Sequence, residues 1–255
     1  MSDEVLVAVD DDGICTITLN RPHQRNAMNA GLLTALAAAL DDLESRRDVR
    51  VLVVRGAGPA FCSGRDLREM EARGGDPEAE VVPVLQRIER SRHPSLAVVH
   101  GDAIAGGCEL ALHCDLRIAA EGARFGMPLA RLGLVIGFPL GQKLVEIIGP
   151  AHVRHLLLTG RPIDARRAYE IGMVHQVAPA AELDAAAAAL AATLAANAPL
   201  AMAGLKAVIH RAISTRESIP HDDLDALARQ ARRSADAGEG RRAMLEKRRP
   251  VFRGE

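Results

Sequence analysis

The stretch HGDAIAGGCELALHCDLRIAAEGARFGMP, residues 100–128, carries most of the information about the fold. It follows an apolar run, PSLAVV, of strand character. Gly106 and Gly107 then form a turn, and GCELALHCD reads as a helix. LRIAA returns as a strand, and after a short loop ARFG reads as another brief one. Strand, glycine turn, helix and strand inside thirty residues make an α/β unit. The anomaly is Glu109, a carboxylate set in an otherwise apolar helix just after the glycine pair. Glycine lets the backbone turn sharply and lets a ligand approach without a Cβ in the way. The first N–H groups of the helix lack internal partners and carry the positive end of its dipole. An amide at Gly106 therefore suits an anion or a polarised carbonyl oxygen.

A second turn of the same form lies upstream, in AFCSGRDLREM (60–70). The buried strand VRVLVVRG feeds a loop containing Gly64, and a helix begins near Asp66. Its candidate donor is the N–H of Arg65. Two distant loops, each offering one amide, can pinch one oxygen, with Glu109 about one helical turn beyond Gly106. Elsewhere, EVLVAVDDDGICTITLN reads as two strands joined by an Asp/Gly turn, and Asn29 is placed to cap the helix AGLLTALAAALDDLESR. Strand–turn–helix units recur at intervals of about 50 residues by eye. After residue 179 the pattern becomes helical throughout. The reading is an α/β core over 1–198 and a helical extension over 199–255, whose amphipathic helices are suited to pack on a neighbouring subunit.

Composition narrows the function. A net charge of −1 disfavours a dedicated nucleic-acid binder, and one Tyr with four Phe cannot build an aromatic RNA-binding sheet. Residues 199–255 hold 12 Lys and Arg against 8 Asp and Glu. This leaves the basic end RRAMLEKRRPVFRG as either a solvated tail or a phosphate contact. Cys15, Cys62, Cys108 and Cys114 form no C-x-x-C pair and read as structural thiols of a reducing compartment. No signal segment or membrane span is legible, so a cytoplasmic enzyme is expected. Ser63 is not in a G-x-S-x-G elbow, no phosphate-binding glycine motif occurs, and the histidines lack metal-ligand spacing, so no metal is expected.

Taken together, LNRPHQRNAMN (19–29), GAGPAFCSGRDLREM (56–70), the stretch 100–128, LLLTGRPIDARRAYEIGMVHQV (156–177) and EGRRAMLEKRRPVFRG (239–254) resemble the enoyl-CoA hydratase/isomerase (crotonase) superfamily over nearly the whole chain. The resemblance implies an α/β spiral of ββα repeats ending in a helical trimerisation region. It also implies a homotrimer or hexamer, a coenzyme A thioester as substrate with no separate cofactor, and a place in fatty acid metabolism. It puts the thioester oxygen between the amides of Arg65 and Gly106, which join Glu109 as catalytic groups. Ser63, Arg65, Asp66, Leu67 and Arg68 would flank the ligand, Arg25, Asn26 and Ala27 would lie near its nucleotide, and Lys247 would reach its phosphates.

Hydratases of this family use two glutamates. The first matches Glu109; the second should follow Pro128, where this chain has Leu129. A hydratase orients one water between two carboxylates, and Leu129 can serve neither role. LARLGLVIGFPLGQ offers no replacement acid, and Arg131 stays protonated. Hydration, double-bond isomerisation, decarboxylation and thioester hydrolysis all remain open, as does acyl-CoA binding without chemistry. Burial among apolar neighbours is expected to raise the Glu109 pKa toward neutrality. Met70, Leu134, Ile136 and Phe138 read equally as pocket wall or core.

Overall fold

Each turn of the chain contributes one strand to a large sheet and the next to a small one, before a helix returns it to the start. The computed structural model describes residues 3–73, 77–214 and 219–254; the Gly74-Gly75 end of the second turn's helical segment lies outside them. The chain opens with the antiparallel pair β1 (Val5–Val9) and β2 (Ile14–Leu19), then α1 (Ala30–Ser45). The first full repeat is β3 (Val51–Gly56), β4 (Ala60–Cys62), α2 (Leu67–Arg73) and α3 (Pro77–Arg90). The second is β5 (Ser95–Val99), β6 (Asp102–Ile104) and α4 (Gly106–His113). The third is β7 (Leu116–Ala120), β8 (Arg124–Gly126) and α5 (Phe138–Thr159). Then come β9 (Ile163–Asp164), α6 (Ala165–Glu170), β10 (Gln176–Ala178) and the helices α7 (Leu183–Ala195), α8 (Pro199–Ser214), α9 (Asp222–Arg233) and α10 (Ala235–Leu245).

The large sheet runs β1-β2-β3-β5-β7-β10 and the small one β4-β6-β8-β9. β3, β5 and β7 are parallel neighbours in the first, and β4, β6 and β8 are parallel neighbours in the second. This is the ββα spiral of the crotonase fold. The repeat is not evenly spaced. β3, β5 and β7 begin at residues 51, 95 and 116, because the first repeat carries two helices and the second only the short α4.

Both faces of the large sheet are covered, which explains the continuously apolar VLVV of β3. On one face Val51, Val53, Leu96, Val98 and Ile118 pack against Leu183, Ala187 and Ala191 of α7. On the other, Ile17, Leu52, Val54, Ala97 and Val99 meet α1, α3, α4 and α5. Leu32, Leu36, Leu40 and Leu43 line the buried stripe of α1. Each fully buried leucine contributes about 1.5–3 kcal/mol. Asn29 caps this helix, its Oδ1 accepting from the Leu32 amide at 2.8 Å. The α8–α10 helices return to the core: α8 meets α3, and α10 lies over α2 and the 3-10 turn at Leu129–Leu132.

No single described helix is long and apolar enough to cross a membrane; α7 and α8 pass such a test only as a pair bent by 100°.

Candidate active site

β4 and β6 are hydrogen-bonded neighbours, so the turns that follow them meet at one end of the small sheet. A Cβ built on Gly64 would lie 3.2 Å from the Gly106 nitrogen, and one on Gly106 would lie 3.8 Å from the Arg65 nitrogen. The two turns are thus in van der Waals contact, and Arg65, Gly106 and Glu109 line one cavity of about 140 Å3.

The first turn is held by hydrogen bonds. Met28 forms a parallel bridge with Arg65: its amide donates to the Gly64 carbonyl at 2.7 Å, and its carbonyl accepts from the Asp66 amide at 3.0 Å. This pattern directs the N–H of Arg65 itself away from Met28. Asn26, fully buried with φ +56°, clamps the approach. Its Nδ2 donates to the carbonyls of Ala57, Ala60 and Phe61, and its Oδ1 accepts from the Arg21 amide. Arg21 then pairs with Asp66 at 3.1 Å.

The second turn is held by close packing and strain. Gly64 takes φ +94° against Ala105, whose own φ is +50° although it carries a Cβ. A side chain in that region costs about 1–3 kcal/mol and persists only where surrounding contacts enforce it. The Ala105 amide is tied to the Gly126 carbonyl at 2.7 Å. Gly107 packs so tightly on the Cys62 carbonyl that a Cβ there would overlap it. At the far end of α4 the buried Arg117 guanidinium donates to the carbonyls of Ala111 and Cys114, opposing the negative end of the helix dipole. Among the described residues, neither the Arg65 nor the Gly106 amide donates to a protein carbonyl. Two such amides can stabilise a developing oxyanion, a donor typically contributing about 2.7–4 kcal/mol to lowering the barrier.

Glu109 is 7% exposed. The same cavity is lined by the apolar side chains of Met70, Met127, Leu129, Leu132, Leu134 and Met244. Met70 and Leu134 are therefore pocket wall, whereas Phe138 stacks on His221 at 4.8 Å and Ile136 packs on the core. Ser63 and Leu67 also line the cavity. Asp66 and Arg68 instead lie on a shallow cleft outside, with Arg21 and Gln24. Asp66 is engaged by Arg21 and by the amides at the start of α2. Arg25 (φ +51°) and Ala27 belong to the loop behind the first turn, and Lys247 (φ +55°) lies two residues beyond the end of α10; none of these three lines a described cavity. The Arg65 guanidinium pairs with Glu80 at 2.7 Å, but its Nε and Nη1 are buried without a hydrogen-bond partner among the described residues.

The model of the family described as enoyl-CoA hydratase/isomerase matches residues 10–255. The chain belongs to that family. The family member YngF of Bacillus subtilis strain 168, a putative enoyl-CoA hydratase/isomerase, is 35% identical, with 100% of both chains covered. The probable enoyl-CoA hydratase echA8 of Mycobacterium bovis is 34% identical over 99% of both. Among solved structures, methylmalonyl-CoA decarboxylase complexed with 2S-carboxypropyl-CoA superposes at a TM-score of 0.92, with 27% identity and full coverage of both chains. An enoyl-CoA hydratase from Mycobacterium avium subsp. paratuberculosis K-10 gives 0.88, 27% identity and 98% coverage of both. This enoyl-CoA hydratase/isomerase family enzyme thus shares its backbone with proteins named for different reactions.

Sequence reading missed three groups of residues around the site. Asn26 was expected beside the nucleotide and not as the clamp of the first turn, and Arg117 was legible only as part of a strand. Glu89, Lys143 and His210 come together beside Glu109 from three different helices, with no spacing signal to announce it. All four cysteines are buried thiols; burial pushes Cys62, Cys108 and Cys114 up to about 12, which suits packing and not nucleophilic chemistry.

Proposed function

We propose that the enzyme acts on an acyl-CoA thioester, holding its carbonyl oxygen between the amides of Arg65 and Gly106 so that negative charge collects there as an enolate. Glu109 moves the proton. The observation that carries the reading is the composition of the cavity wall: among the described residues Glu109 is the one carboxylate that lines it, and Leu129 is part of the same wall. Hydration asks for two acid–base groups around one water, whereas moving a proton between two carbons asks for one. Double-bond isomerisation is therefore the favoured reaction. No cofactor beyond the thioester substrate is needed for it.

A second reading, decarboxylation of a 2-carboxyacyl thioester, is favoured by the 0.92 superposition on the methylmalonyl-CoA decarboxylase complex. The buried Arg65 N–H groups, which have no partner among the described residues, also suit an oxygen-rich acyl group. Incubating the protein with crotonyl-CoA, a 3-enoyl-CoA and a malonyl-type thioester, with products read by mass spectrometry, separates these readings. Turnover of the 3-enoyl-CoA is expected. Hydration of crotonyl-CoA as the main activity would overturn the assignment, and binding of all three with turnover of none would leave an acyl-CoA binding protein. Glu109→Gln is expected to lower turnover by about 10²–10⁴-fold while acyl-CoA affinity, measured by calorimetry, is retained.

A homotrimer or dimer of trimers is part of the proposal. It is supported by the apolar face of α8, where Leu200, Leu205, Val208 and Ile209 are each more than half exposed. A cytoplasmic setting is supported by the four free thiols.

A further inference from the structure

Glu109 has two sides. Toward the amide turns it faces the apolar cavity. On the other side it lines a second, larger chamber of about 270 Å3. Glu109 and Leu140 are the two residues common to both. The chamber is built by α3, α4, α5, α8 and the start of α9, and its wall includes Gln86, Glu89, His113, Lys143, Glu146 and His210.

Glu89 is the hub of this chamber. It pairs with Lys143, and its carboxylate lies 3.9 Å from His113 Nε2 and 4.0 Å from His210 Nδ1. The His113 Nδ1 lies 2.9 Å from the Glu109 carbonyl. That acceptor requires the proton on Nδ1, which leaves the Nε2 lone pair directed toward Glu89. Burial holds His113 down to about 4, so this ring stays neutral. His210 Nδ1 is buried with no hydrogen-bond partner among the described residues. A chamber of this size, with several polar side chains in its wall, meets the conditions for ordered water, each molecule needing two to four polar partners.

We propose that this chamber is a solvent compartment through which the Glu109 carboxyl exchanges its proton, so that the hydrogen returned to the substrate comes from water. The inference rests on Glu109 being the proton carrier. The step balances without a co-reactant. The substrate Cα–H bond breaks, its electron pair enters the thioester enolate, and the proton binds a Glu109 oxygen. On the chamber side that proton passes to water as another from water replaces it. The replacement is then delivered to carbon, and Glu109 returns to its carboxylate form. The dry side performs the chemistry and the wet side resets the acid. His210 is a positioning residue here, acting on the water and not on the substrate.

The test is isotopic. A 3-enoyl-CoA deuterated at C2 is incubated with the full-length protein in ordinary water, and substrate and product are weighed by mass spectrometry during early turnover. With both C2 hydrogens replaced, one deuterium stays on C2 of the product, and the abstracted one is expected to be lost from most product molecules, a loss expected to vanish in Glu109→Gln. His210→Phe, which fills part of the chamber away from the substrate, is expected to raise the deuterium retained in product at least threefold, and His210→Gln is expected to restore the loss. Turnover with deuterium retained by the wild-type protein overturns the inference, as does a retained fraction equal in His210→Phe and wild type. Washout of deuterium from unreacted substrate without product supports the inference and sinks the isomerase reading. Neither turnover nor washout sinks both.

Discussion

The two amide-bearing turns reach the same cavity by opposite means. The turn at Gly64-Arg65 is fastened from outside, by the Met28 bridge, the Asn26 clamp and the Arg21–Asp66 pair. The turn at Ala105–Gly107 is wedged from within, by a strained Ala105 and a glycine pressed on the Cys62 carbonyl. A hydrogen-bonded turn loses its supports one at a time, each worth about 1–3 kcal/mol when a buried partner is stranded. A wedged turn has no such gradation, because overlapping atoms repel steeply. The contrast teaches that an identical task, aiming one N–H, leaves different marks in the sequence: scattered polar residues in one case, small residues in the other.

Gly107→Ala breaks the wedge and is expected to have the largest effect. Its new Cβ meets backbone, which cannot rotate aside, so the variant is expected to lose cooperative folding or soluble expression; a melting temperature within about 3 °C of wild type would show that the packing yields. Gly106 makes the informative contrast, since a Cβ there would meet the end of the flexible Met28 side chain at 2.5 Å and can be accommodated.

Asn26→Ala tests the other turn. Three carbonyls lose their donor together, and denaturant melts are expected to register a loss on the order of 3 kcal/mol without loss of the native fold. An effect below 0.5 kcal/mol would mean that water replaces the amide and that the clamp is dispensable.

Acid separates the turns in a third way. His113 sits on the helix of the wedged turn with its pKa lowered to about 4 by burial, whereas the amide of Asn26 does not titrate. Between about pH 6.5 and 4 the unfolded chain binds the extra proton and the folded one does not, so stability falls as pH falls through that window, by at most about 3 kcal/mol from this group. His93 and His175, also lowered by burial, act in the same direction. Hydrogen exchange at pH 5 is expected to accelerate at the amides of Leu110–Leu112 more than at Met28. Equal acceleration at both would remove His113 as the cause.

Ala105→Gly has the smallest expected effect and the most telling sign. Replacing alanine by glycine ordinarily destabilises, but relief of the positive-φ strain is expected to outweigh the added chain entropy and raise stability by about 1 kcal/mol. A drop on thermal melting would show that Ala105 is not strained.

Legibility in the sequence followed the range of the interactions. The Asn29 cap, the Asp/Gly hairpin, the apolar stripe of α1 and the two glycine turns are local, and each was readable from a few adjacent residues. β4 and β6 were not, since three-residue strands carry no periodicity and exist only because the small sheet pairs them. The pocket wall was half readable. Met70 and Leu134 face ligand space while Phe138 packs on His221, and hydrophobicity alone does not distinguish the two fates.

The sequence by itself determined the family, the α/β class, the pairing of two glycine turns with one glutamate, and the absence of an acid at residue 129. Those properties reside in short contiguous motifs whose chemistry survives being read in one dimension. Only the tertiary structure decided that Glu109 stands between an apolar cavity and a chamber lined by charged and polar side chains. Residues 89, 113, 143 and 210 are brought to one chamber by helix packing, and packing is set by the shapes of whole surfaces, which no local pattern encodes.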